Sequence, residues 1–233
     1  MFTKRGATRT DAIRRNSEVL FRDPGAMSGL LMGVSFIGGV GGGVALANSP
    51  FPRPGSEPAE VRRYFTENSR SARLNAAGQL ISTVSLARFT ASVAELANRS
   101  GQGSRGLRAA AIAGGGLAAV SLATSGLCTL ALSGRWGKED ESAATLARRA
   151  FVAGGPIHGV GFGVLTGVLA LAGLRTGELP RPLAIAGLVS AASGLLSPLY
   201  FIKEQAGWFI PIGRFSGLLV SGIAAVRLAR RSG

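Results

Sequence analysis

Arg88, Glu95, His158 and Arg214 are the ionisable side chains that stand inside otherwise apolar stretches, and any chemistry has to be sought around them. Arg214 lies six residues after Trp208, a residue type favoured where a membrane meets water. At 1.5 Å of helical rise per residue it sits roughly 9 Å below that boundary. His158 lies eight residues into the apolar stretch that begins at Ala150, which places it roughly 12 Å deep by the same rise. Gln79, Ser193 and Ser197 fall in the same half of their own stretches. A guanidinium presents a rigid fork of donors that suits a carboxylate or phosphate, and an imidazole can donate, accept or titrate. The expectation is a polar pocket in which Arg214 anchors an anion, His158 is its hydrogen-bonding or titrating partner, and Gln79, Ser193 and Ser197 complete the wall. The plainer alternative for a lone histidine is a neighbouring acceptor that satisfies it.

A second constellation is Ser85, Arg88, Ser92 and Glu95, spaced by three and four so that all four share one helical face. An arginine near the centre of a membrane helix costs about 2.5–3.5 kcal/mol on insertion scales, so such a face is expected to turn into a bundle. Alternatively, Arg88 and Glu95 snorkel to the nearer interface and only orient the helix. Enzyme signatures are missing: there is no H-E-x-x-H, no G-x-S-x-G, no second histidine and no pair of acids within a stretch. Cys128 is the single cysteine, so it can form neither an internal disulfide nor a zinc site with partners of its own kind. The expectation is a non-enzymatic protein with no catalytic residues, no metal and no cofactor.

The elements that must position these groups are legible from where charge is lacking. Pro24 to Pro52, Ala109 to Gly134, Ala150 to Leu174 and Pro182 to Ile202 contain no Asp, Glu, Lys or Arg. Each is at least as long as the roughly 20 residues a helix needs to cross about 30 Å of hydrocarbon. Leu74 to Ala97 and Gln205 to Val226 qualify with few intruding charges. Six spans result, at about 27–47, 74–97, 109–132, 150–174, 183–202 and 208–226. The predicted fold is an all-α integral membrane bundle, one domain over 27–228 behind a basic cytoplasmic tail over 1–26. The 46% hydrophobic content, 16% charge and mean hydropathy of +0.30 agree with it.

The first span carries SFIGGVGGGVALA. Its glycines fit neither G-x-G-x-x-G nor a P-loop, so a phosphate cradle is excluded. Ala45-Leu46-Ala47 could end a signal peptide, cleavage after Ala47 leaving five spans. The period of four in Ser35, Gly39, Gly43 and Ala47 is instead that of a small-residue ridge through which helices approach closely in lipid. PFPRPG then breaks the helix, and Val61, Tyr64 and Phe65 among charged neighbours predict a short amphipathic helix on the membrane surface.

The net charge is +14. Its cations punctuate the spans, which points to anionic lipid headgroups rather than nucleic acid. With the N-terminus inside, 14 cations fall on the cytoplasmic side and ten outside, the bias expected for two cytoplasmic termini. The partners expected are therefore the bilayer and, through glycine ridges, another membrane protein or a second copy.

The segment HGVGFGVLTGVLALAGLRTGELPRPLAIAGLVSAASGLL, His158 to Leu196, resembles part of an uncharacterised family of six-span bacterial membrane proteins known only as a domain of unknown function. A histidine-bearing span, a short G-x-L-P-R turn and a Gly/Leu-rich span carry the resemblance, in His158, Gly177, Leu179, Pro180 and Arg181. It implies a bacterial inner membrane and brings no activity. The functional expectation is small-solute binding or a transport-related role. The alternative is an accessory protein that recruits a membrane partner through the Gly39 and Gly43 ridge, which must then face lipid.

Overall fold

The computed structural model describes residues 24–231, and among them the chain is helical with no strand. The helices are α1 (Pro24–Leu46), α2 (Pro58–Glu67), α3 (Ser69–Asn98), α4 (Ser104–Leu132), α5 (Asp140–Val152), α6 (His158–Arg175), α7 (Arg181–Leu196) and α8 (Phe209–Arg231). Six helical stretches are long and apolar enough to cross a membrane, and the protein is a multi-pass helical membrane protein of the expected all-α class. The basic tail read over 1–26 lies outside the described residues as far as position 23. From Pro24 to Leu46 the described chain is helical.

α5 and α6 form one continuous helical stretch of 36 residues, Asp140–Arg175, about 54 Å long. The sequence alone suggested a start at Ala150, but Asp140 and Glu141 occupy the first turn, where the partial positive charge of the helix favours them. The two parts meet at a π-helical turn, Ala153–Ile157, that contains Pro156. Proline removes a donor and crowds the preceding turn, and a widened turn relieves both effects. α7 ends earlier than the span to 202 suggested. Pro198 follows it, and the chain continues as a 3-10 segment, Ser197–Phe201.

The stretch holding α6 is the centre of the bundle: 67% of its apolar window is buried, against 28–50% in the others. α3, α4, α7 and α8 all pack on α6, and α1 closes the ring between α3 and α8. A helix surrounded in this way needs small residues on several faces. A Cβ on Gly161 would stand 2.6 Å from the Ala118 nitrogen of α4, and one on Gly163 would stand 2.8 Å from the Ala191 oxygen of α7. The outer surface of the bundle carries Val34, Ile81, Val120, Ile185 and Leu219, all exposed, as a lipid-facing surface requires.

The ridge predicted on the first span is a packing face. Gly39 and Gly43 are buried against Gly78, Leu74 and Ser71 of α3, while Ser35 offers its carbonyl to the same contact. Ala47 lies just past the end of α1 and packs on a smaller outer cluster. Because α3 covers the ridge, Gly39 and Gly43 do not face lipid. The expected surface helix exists as α2, and its apolar side is already occupied. Val61, Tyr64 and Phe65 are buried with Leu132 and Ala143, Phe51 stacks edge-on at 5.2 Å from Tyr64, and Arg62 pairs with Asp140 at 2.6 Å.

Candidate functional site

Polar contacts between side chains and carbonyls of neighbouring helices tie the bundle together and show which predicted residues are structural. Ser82 Oγ donates to the Met32 carbonyl across α3 and α1 at 3.0 Å. Ser190 Oγ donates to the Gly213 carbonyl across α7 and α8 at 2.8 Å. Ser197 Oγ donates to the Pro156 and Gly194 carbonyls at 3.0 and 2.6 Å. His158 Nδ1 lies 3.0 Å from the Ala118 carbonyl, which can only accept, so this nitrogen carries the proton. The imidazole also stacks on Phe162, with centroids 5.5 Å apart.

The expectation of one pocket holding all five residues is therefore corrected. His158, Ser193 and Ser197 are buried in helix interfaces, and none of them is among the described residues that line the cavity holding Arg214. Ser193 packs where α7 meets Gly213 of α8, and Ser197 packs against Gly159 of α6. The physical reason is rotation about the helix axis: similar depth does not make two side chains point the same way.

Arg214 and Gln79 do share a cavity. It is a partly open space of about 220 Å³ between α1, α2, α3, α4, the α5–α6 junction and α8. Phe36, Phe51, Phe65, Phe151 and Ile210 form its apolar walls, and Asn75, Gln79, Ser125, Thr129 and Arg214 bring polar groups to it. The side chain of Arg214 donates through Nη2 to the Gly154 carbonyl in the π-helical turn. Its guanidinium carbon stands 5.0 Å above the Phe36 ring, a contact worth roughly 0.5–2 kcal/mol. Nε has no partner. Gln79 is 7% exposed; its Nε2 donates to Asn75 Oδ1 at 3.0 Å, and its Oε1 has no partner.

No Asp or Glu is among the described residues that line this cavity. A guanidinium removed from water without a counter-charge is costly, and a carbonyl and an aromatic face compensate only in part. An anion in the cavity would supply the missing charge and an acceptor for Nε. A wider outer groove of about 490 Å³ shares Phe51, Phe65, Ala147 and Phe151 with the cavity and adds Arg53 and Arg148. Cationic groups thus stand both in the groove and in the cavity.

For the second constellation the structure favours the reading in which Arg88 and Glu95 only orient the helix. Ser85 is buried and donates to the Ile81 carbonyl, but Arg88 and Glu95 are exposed and Ser92 is half-buried. The face turns its ionisable members outward, where long side chains can reach an interface. Cavity residues that sequence reasoning missed include Phe36, Asn75, Thr129, Phe151 and Gly154. Asn75 carried a signal, standing four residues before Gln79 on one helical face; Gly154 carried none, because its role depends on a local widening of the helix. No family model, curated protein or solved structure matches the chain.

Proposed function

We propose that this protein sits in a bacterial cytoplasmic membrane with both termini inside and binds a small anionic solute from the outer side, as a receptor or a step of transport. The observation that carries the reading is the convergence of Arg214 and Gln79, each with an unpartnered buried polar atom, on one cavity without an acidic residue. The excess of cations at the ends of α1, α3, α4, α6, α7 and α8 on the proposed inner side supports the orientation. The accessory reading loses its support, since the Gly39 and Gly43 ridge it needed is covered by α3.

The test is thiol labelling of single cysteines in a Cys128→Ala background, in intact cells, with a membrane-impermeant reagent. Gln79→Cys and Thr129→Cys are expected to label, and His158→Cys and Ser197→Cys to stay protected. Benzoate is expected to slow labelling at both cavity positions, and benzyl alcohol is not. Protection at positions 79 and 129 while Ser56→Cys still labels would sink an outward-open site. Equal effects of benzoate and benzyl alcohol would sink the anion.

A further inference from the structure

Resting on the anion reading of the same cavity, we infer that the ligand is an apolar hydroxycarboxylate carrying one negative charge. Two unpartnered atoms of opposite kind define what it must offer. Arg214 Nε is a donor and calls for an acceptor. Gln79 Oε1 is an acceptor, held in place because Nε2 of the same amide donates to Asn75 Oδ1, and it calls for a donor. One molecule satisfies both only if it bears an anionic acceptor and a hydrogen-bond donor. An ammonium group would meet the second requirement but not the surroundings: the cavity already holds the Arg214 cation and no acid among the described lining residues. A hydroxyl donates without adding charge. The rest of the wall is aromatic and aliphatic, with Phe36, Phe65 and Phe151 prominent, so the body of the ligand is apolar. A volume of about 220 Å³ admits a single small ring with a short side arm. The outer groove, with Arg53 and Arg148, is the approach for a soluble anion.

The experiment is calorimetric binding to the full chain purified in neutral detergent micelles, with four probes: 3-phenyllactate, 3-phenylpropionate, 3-phenyllactamide and phenylalanine. 3-Phenyllactate is expected to bind most tightly. Removing its hydroxyl, in 3-phenylpropionate, leaves a buried acceptor unpaired, and removing its charge, in 3-phenyllactamide, leaves Arg214 uncompensated; each is expected to weaken binding by about tenfold or more. Phenylalanine is expected to bind more weakly still. In Gln79→Leu the preference for 3-phenyllactate over 3-phenylpropionate disappears, and in Arg214→Met the preference for 3-phenyllactate over 3-phenyllactamide disappears. Equal binding of 3-phenyllactate and 3-phenylpropionate by the unaltered protein overturns the hydroxyl assignment while leaving an anion site standing. Equal binding of 3-phenyllactate and its amide overturns both, and so does binding of none of the four. Since the first comparison is made on the unaltered chain, a variant that fails to fold does not shield the inference.

Discussion

Replacing Gly78 by alanine tests the crossing that holds α1 against α3. A Cβ at this position would stand 2.6 Å from the Gly39 Cα and 2.6 Å from the Ser35 carbonyl oxygen. Carbon atoms in contact rest at about 3.5–4.0 Å, so α1 would have to withdraw by about 1 Å. Both obstacles are backbone, and neither can swing aside as a side chain would. The withdrawal would stretch the bonds from Ser71 Oγ to the Gly43 carbonyl, 2.7 Å, and from Ser82 Oγ to the Met32 carbonyl, 3.0 Å. It would also pull Met32 and Phe36 out of the core they share with Leu86 and Phe89. Overpacking costs about 1–3 kcal/mol, and against it alanine gains about 0.5–1 kcal/mol over glycine inside a helix. The expected net loss is about 1–2 kcal/mol. The same exchange at Gly41 meets nothing within 4 Å, so only the helical gain of up to about 1 kcal/mol remains. The assay is equilibrium unfolding in mixed detergent micelles, followed by the loss of helical circular dichroism. Opposite signs at the two positions are expected. A Gly78→Ala protein as stable as Gly41→Ala would refute the close crossing of α1 and α3.

Three further outcomes follow from other parts of the bundle. Gly177 takes a left-handed conformation, φ +71, just after α6 ends; Gly177→Ala should cost about 1–2 kcal/mol in the same unfolding assay, although open space surrounds the position. Arg62 and Asp140 form an exposed pair at 2.6 Å, so a double-mutant cycle should return a coupling of about 0.2–1 kcal/mol that shrinks as salt is added. Arg88→Gln and Glu95→Gln alter exposed positions and should each change stability by no more than about 0.5 kcal/mol; a loss of several times that would show that these side chains face a protein partner rather than an interface.

The helical class and the number of membrane-crossing stretches were readable because charge and hydropathy act locally. A run of about 20 residues without charge has one favourable state in a bilayer, that of a hydrogen-bonded helix. The packing role of Gly39 and Gly43 was equally local, since a period of four lays small residues on one face of any helix. The starting point of α5 was not readable from hydropathy. Its first turns are polar and become helical through the acids at its N-terminus and the apolar contacts of Ala143, Leu146 and Ala147 with α2 and α4.

The cavity divides along the same line. Sequence alone placed Arg214 and Gln79 at a depth where an unpaired polar group is costly, and so singled them out as candidates. It also placed His158, Ser193 and Ser197 at similar depth, and nothing local separated the two groups. Helix rotation and the partner across each interface did. His158 turns to the Ala118 carbonyl and Ser197 to that of Pro156, while Arg214 and Gln79 turn to a space bounded by six helical segments. Tertiary packing also decided that the Gly39 ridge is used within the chain. The bilayer reads each helix separately, so composition determines where the chain crosses; which face each helix shows its neighbours depends on all of them at once, and that is where the site is made.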